Sequence, residues 1–137
     1  MLPYLNLSDL IADSSDWASS QQAVRLAVAA PFGLSQIGIN HTRLPPGAIS
    51  ALRHYHSHQD EWLLVLAGAP TLITDDGEWQ LAPGSCVGFA HGLANAHQLV
   101  NRTSDEVLLL EVSDRSAGDR ASYPHDDPAV VSAALGR

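Results

Sequence analysis

Turn-forming residues interrupt this chain about every ten residues beyond residue 44, spacing that admits short strands and leaves no room for core helices. Leu44-Pro45-Pro46-Gly47, Gly68-Ala69-Pro70 and Ala82-Pro83-Gly84 read as turns, and Asp75-Asp76-Gly77 as the loop of a β-hairpin. Between and beside them lie short apolar runs: Ile37–Leu44, Ile49–His56, Glu61–Ala67, Thr71–Thr74, Glu78–Leu81, Cys86–Phe89, Ala96–Asn101 and Glu106–Val112. This pattern predicts an all-β sandwich or barrel of antiparallel strands and argues against a βαβ architecture. Val24, Leu26 and Val28 alternate as in a strand, although the alanines of Ser20–Ala30 also suit a helix. Pro31-Phe32-Gly33 ends that segment either way. The first twenty residues are polar, with a short helix capped by Ser8 or Asp9, and the tail beyond Ser113 is polar apart from Tyr123-Pro124 and Val130–Leu135.

With 137 residues, 45% of them hydrophobic, the chain is sized for one domain with one core. No tandem repeat is visible. Fifteen acidic residues outweigh seven arginines, there is no lysine, and the net charge is -8, which argues against nucleic acid and anionic membranes as partners. No apolar run approaches the ~18 residues of a membrane span. Met1–Leu10 has no basic leader-like region, so a cytoplasmic location is expected. Cys86 is the sole cysteine, which excludes an intrachain disulfide, and it reads as a small buried hydrophobe.

Histidine is the other distinctive count: seven in all, four of them between residues 41 and 58. His54 and His56 are two apart in a predicted strand, so their side chains leave one face. Glu61 opens the next strand, near enough through a short turn to join them, and His97 begins a later one. Three imidazoles and a carboxylate make a nitrogen/oxygen site suited to a first-row divalent ion, Fe, Mn, Ni, Co or Zn, rather than to magnesium or calcium. Hydrogen-bonded histidines with no metal would share the same spacing.

The stretch from Gly47 through His54-Tyr55-His56 and Glu61 to Gly68 resembles the first cupin motif, matching its His-x-His-x4-Glu-x6-Gly part, with one extra residue between Gly47 and His54. Gly84 to Asn101 is similar to the second motif, with Ala90 where proline is usual and two extra residues between Gly92 and His97. The resemblance implies a double-stranded β-helix (jelly-roll) barrel with short N- and C-terminal extensions, a single cupin domain over 1–137 with its core barrel at about 24–112. By position it implies His54, His56, Glu61 and His97 as metal ligands. His58 in a shifted pair, Asp60 in place of Glu61, and His91 as a ligand or rim group are alternatives; His41 and His125 read as surface or rim residues.

Leu52, Leu63, Val65 and Leu99 are expected around or below the metal, making a mostly apolar cavity for a small organic ligand. Arg43 is a candidate anion clamp, Arg53, Tyr55 and Trp62 are expected outward, Tyr123 could cover the mouth, and Asn101 is expected to pin a turn. No residue is assigned to catalysis and none to an organic cofactor. The expected function is a metal-binding cupin that acts on or binds a small organic acid or carbohydrate-like ligand. A non-catalytic binder or sensor is the alternative, so the sequence leaves enzyme status open. Outward Trp62 and Leu64 point to a homodimer.

Overall fold

In a computed structural model, which describes residues 3–136, the chain folds as two facing antiparallel sheets flanked by two short helices. The ends of the expected 1–137 domain, Met1, Leu2 and Arg137, lie outside the described residues. Helix α1 (Leu7–Asp13) precedes β1 (Val24–Ala27), β2 (Ile37–Leu44), β3 (Tyr55–His56), β4 (Glu61–Ala67), β5 (Thr71–Thr74), β6 (Gly77–Gln80), β7 (Cys86–Phe89), β8 (Gln98–Val100), β9 (Val107–Asp114) and β10 (Ala121–Ser122), and α2 (Pro128–Ala134) follows. The larger sheet runs β1-β2-β9-β4-β7, the smaller β6-β5-β8, and β10 pairs with β3. This is the antiparallel strand architecture expected from the turn spacing, in the jelly-roll arrangement that the cupin resemblance implies.

The hairpin forms where expected, with Thr74 opposite Gly77 and the two aspartates as its loop. Gly77 has φ of 145°, a backbone region open to glycine and strained for other residues. The Ser20–Ala30 ambiguity resolves as a strand, β1, paired with β2. The cap of α1 is Asn6, whose side chain accepts from the Ser8 amide, instead of Ser8 or Asp9.

Ile49–His56 departs from the expected continuous strand. Only Tyr55–His56 is strand, with isolated bridges Ile49–Val100 and His54–His97. Side chains take the carbonyls that a ladder would use: Arg25 binds that of Ser50, Gln98 Nε2 donates to Ala51 at 2.9 Å, and His54 Nδ1 donates to Leu52 at 2.7 Å. Cys86 also departs from expectation, being exposed. It pairs with Leu64 on the edge strand β7, at an outward position.

The core lies between the sheets. Leu44, Leu63, Val65, Val107 and Leu109 of the larger sheet meet Leu72 and Leu99 of the smaller one, all buried. Along β4 the inward residues run Val65, Leu63, Glu61, and along β9 they run Val107, Leu109, Glu111, Ser113. The interior therefore grades from apolar to polar toward one end, and the functional groups collect there. Leu63, Val65 and Leu99 form the expected floor. Leu52 does not join them; its contribution is the carbonyl that holds His54.

Asn101 is fully buried and pins the turn before β9. Its Nδ2 donates to Leu44 and Asp105 carbonyls at 2.9 and 2.7 Å, and its Oδ1 accepts from the Thr103 amide at 3.0 Å. Asn101→Ala strands two carbonyls and an amide, and is expected to lower unfolding free energy by about 2–4 kcal/mol in denaturant titrations.

Candidate metal centre

A backbone bridge builds the first half of the site. The His54 amide donates to the His97 carbonyl at 3.2 Å and the His97 amide returns the bond at 2.9 Å. This antiparallel pairing sets the two rings side by side, with centroids 4.7 Å apart. His56, two residues on, brings its ring to 5.0 Å from that of His54. Glu61 enters from the inward face of β4. The Nε2 atoms of His56, His97 and His54 lie 2.8, 3.2 and 3.5 Å from one oxygen, Glu61 Oε1. Ligand atoms of His54, His56 and Glu61 fall within 4.8 Å of one another.

Each ring is held differently. The Leu52 carbonyl can only accept, so His54 Nδ1 carries the proton and Nε2 presents its lone pair. His56 Nδ1 donates to Asp119 Oδ2 at 2.7 Å, with the same consequence in the neutral ring. His97 is fixed by stacking on Phe89, with ring centroids 3.5 Å apart and planes 3° from parallel. Both His97 nitrogens and Glu61 Oε1 are buried without a properly directed hydrogen bond. Buried polar atoms left this way are costly unless something binds between them, and a nitrogen/oxygen donor set of this kind fits a divalent cation. The His54/His56/Glu61 cluster can chelate one.

Burial works to raise the Glu61 carboxyl, but the three imidazoles gathered on it, His54, His56 and His97, prevail and hold it well below the usual carboxylate range. The Glu61 carboxylate, 2.8 Å from its Nε2, raises His56 to about 9; burial opposes it and Asp119 adds to it. Burial also pushes Asp119 up, while bonds from the His58 amide, His56 and the Gln59 amide bring it below its ordinary value. In the metal-free protein the protonated His56 contributes stability that is complete below its unfolded value of 6.5 and is lost as pH rises through about 9. The denaturant midpoint of chelator-treated protein is therefore expected to fall across that window, and Glu61→Gln to flatten the profile.

The other histidines stand apart. His58 Nδ1 bonds Ser57 Oγ, and His91 Nδ1 bonds Asp60 at 2.7 Å with both side chains more than half exposed, which removes His58, Asp60 and His91 from the cluster. His41 is buried instead of at a rim, stacked on Trp17 at 5.0 Å outside the larger sheet. His125 pairs with Asp75 at 3.0 Å. Arg43 is no cavity clamp, because it pairs with Glu106 at 2.8 Å. Arg53 pairs with Asp75 at 2.6 Å, Trp62 is 39% exposed, and Tyr123 packs on His54 with ring centroids 5.8 Å apart.

Three groups escaped the sequence reading. Asp119 comes from the tail, where β10 pairs with β3, and no spacing pointed to it. Arg25 and Glu111 line a cavity of about 250 Å³ together with His54, Glu61 and His97. A sequence signal existed for Arg25: the apolar alternation of Val24, Leu26 and Val28 marks one face, so Arg25 belongs to the other. Arg25 pairs with Thr42, which is inward, while Leu26 pairs with His41 on the outside.

The cupin domain model matches residues 40–113, and the chain belongs to the cupin superfamily. A sugar phosphate isomerase of that superfamily from Silicibacter pomeroyi is 44% identical over 77% of this chain and 67% of its own, with a TM-score of 0.74. A candidate sugar phosphate isomerase from Acidithiobacillus ferrooxidans is 30% identical over 74% of this chain and 65% of its own, with a TM-score of 0.71. The chain thus spans about two thirds of the length of both. A Thermus thermophilus protein, 21% identical with a TM-score of 0.65 over 82% of this chain and 97% of its own, shares the fold. No curated protein matches. Among the described residues no helix is long and apolar enough to cross a membrane.

Proposed function

We propose that this protein is a metal-dependent cupin that holds a first-row divalent ion through His54, His56, Glu61 and His97 and acts on a small, hydroxylated, carbohydrate-like ligand. The observation that carries this reading is the convergence of three imidazole Nε2 atoms on one buried Glu61 oxygen. The names carried by two similar structures, both referring to sugar phosphate isomerases, support the carbohydrate side of it.

When bound, such an ion would supply Lewis acidity toward a carbonyl or hydroxyl oxygen. The chain's own residues do the rest. Leu52 and Asp119 orient two of the rings, Phe89 clamps the third, and Leu63 and Leu99 close the cavity below against water. Elemental analysis of purified protein, followed by product analysis with aldoses, ketoses and sugar acids on the loaded form, tests the proposal. About one transition ion per chain with turnover is the expected result. Binding without turnover favours the sensor reading, and the absence of any tightly held ion overturns both.

The reading extends to a homodimer through the outer face of the larger sheet, where Trp62 and Leu66 are about 40% exposed. Light scattering is expected to give twice the 14.6 kDa chain mass, and a mass of one chain would overturn this extension.

A further inference from the structure

The cavity has a second polar side, toward β1 and β2, that the metal cluster does not use. Arg25 from β1, Asn40 from β2 and Glu111 from β9 line it, on the same inward faces that carry Thr42 and Ser113. Arg25 is the cavity's basic side chain, and it is already committed. Its Nε lies 3.3 Å from Glu111 Oε1, and its Nη2 donates to the Ser50 carbonyl. The Thr42 hydroxyl donates to the same Glu111 oxygen. Charge on this side therefore cancels within the pair.

What remains is a donor beside an acceptor. Among the described residues, no hydrogen bond is made by Arg25 Nη1, Glu111 Oε2 or the Asn40 side-chain amide. An alcohol both donates and accepts, so it satisfies a neighbouring N–H and carboxylate oxygen together. A phosphate only accepts at neutral pH. At this end it would set its charge against Glu111, with the one arginine there already paired. The cavity, about 250 Å³, has room for a small organic ligand.

We infer that Arg25 and Glu111 form a hydroxyl-recognition end that selects a small, unphosphorylated, polyhydroxylated ligand, one end of which lies at the metal cluster. The inference rests on the metal-dependent reading above and narrows its substrate class away from sugar phosphates. Glu111 and Arg25 act as specificity residues: they hold the far hydroxyls of the ligand and leave ion binding alone.

The test is calorimetry on cobalt-loaded protein with three four-carbon probes: D-erythronate, its 4-phosphate, and succinate, which has no hydroxyls. Erythronate is expected to bind at least about ten-fold tighter than either of the others. Glu111→Gln, with the fold checked by circular dichroism, is expected to weaken erythronate about ten-fold, leaving succinate and cobalt affinity unchanged. Arg25→Gln serves as the second variant if the first does not fold. Tighter binding of the phosphate, no binding of any probe, or unchanged erythronate affinity in the variants would overturn the inference while the metal reading stands. Failure of the native protein to take up cobalt would overturn the metal reading and this inference together.

Discussion

Glu61→Ala is expected to fold normally and to bind divalent transition metal at least about 100-fold more weakly than the native protein, a larger loss than removal of an outer hydrogen-bond partner produces. Normal folding follows from where β4 gets its register: Leu63 and Val65 are buried in the core, whereas Glu61 sits at the strand's open end. The metal loss follows from charge and geometry. Three neutral imidazoles supply donors but no negative charge, and the Glu61 oxygen is the point on which all three Nε2 atoms converge. Glu61→Gln is expected to behave similarly, because an amide keeps the shape but loses the anion. Metal content after dialysis, together with titration of cobalt or manganese, reads the effect. Native-like affinity in either variant would remove Glu61 from the ligand set.

Asp119→Asn carries the second large effect, about 10–100-fold in metal affinity, with little change in the barrel. The carboxylate uses both oxygens. Oδ1 accepts the His58 and Gln59 amides, each at 2.9 Å, and Oδ2 accepts His56 Nδ1. An asparagine can still satisfy the two amides through its carbonyl oxygen, but it then turns an NH2 toward the imidazole. The neutral ring answers by moving its proton to Nε2, which hides the lone pair a metal needs. Asp119→Ala separates the two roles, since it also releases the amides. If Asp119→Asn binds metal as tightly as the native protein, the tautomer at His56 is set by something other than Asp119.

The strand pattern was legible because turn chemistry is local. Prolines, glycines and the Asp-Asp-Gly loop announce themselves within a few residues, and β2, β4, β5 and β7 fall at the expected positions. The cluster was legible for a related reason: the period of two places His54 with His56, and Glu61 opens the next strand. Where side chains compete with the ladder, local reading failed, as at Ser50 to Leu52, whose carbonyls go to Arg25, Gln98 and His54. It failed again where the partner is distant. Asp119 lies 63 residues from His56, and Glu111 meets Thr42 across 69, separations for which one sequence carries no spacing signal. Cys86 and His41 show the remaining gap. Composition assigns a residue an average burial, but the face of the sheet and the N-terminal segment decide it, so the cysteine is out and the histidine lies under Trp17.

The pairing of β10 with β3 has a consequence for synthesis of the chain. His54, His56, Glu61 and His97 all emerge before the piece that orients His56, because Asp119 and the β10 strand just after it come from the last fifth of the sequence. A partly made barrel already owns every donor atom but cannot yet aim one of them. Tight retention of an ion would thus mark a finished molecule, and clipping the tail from a finished one would loosen the ion without unfolding the barrel.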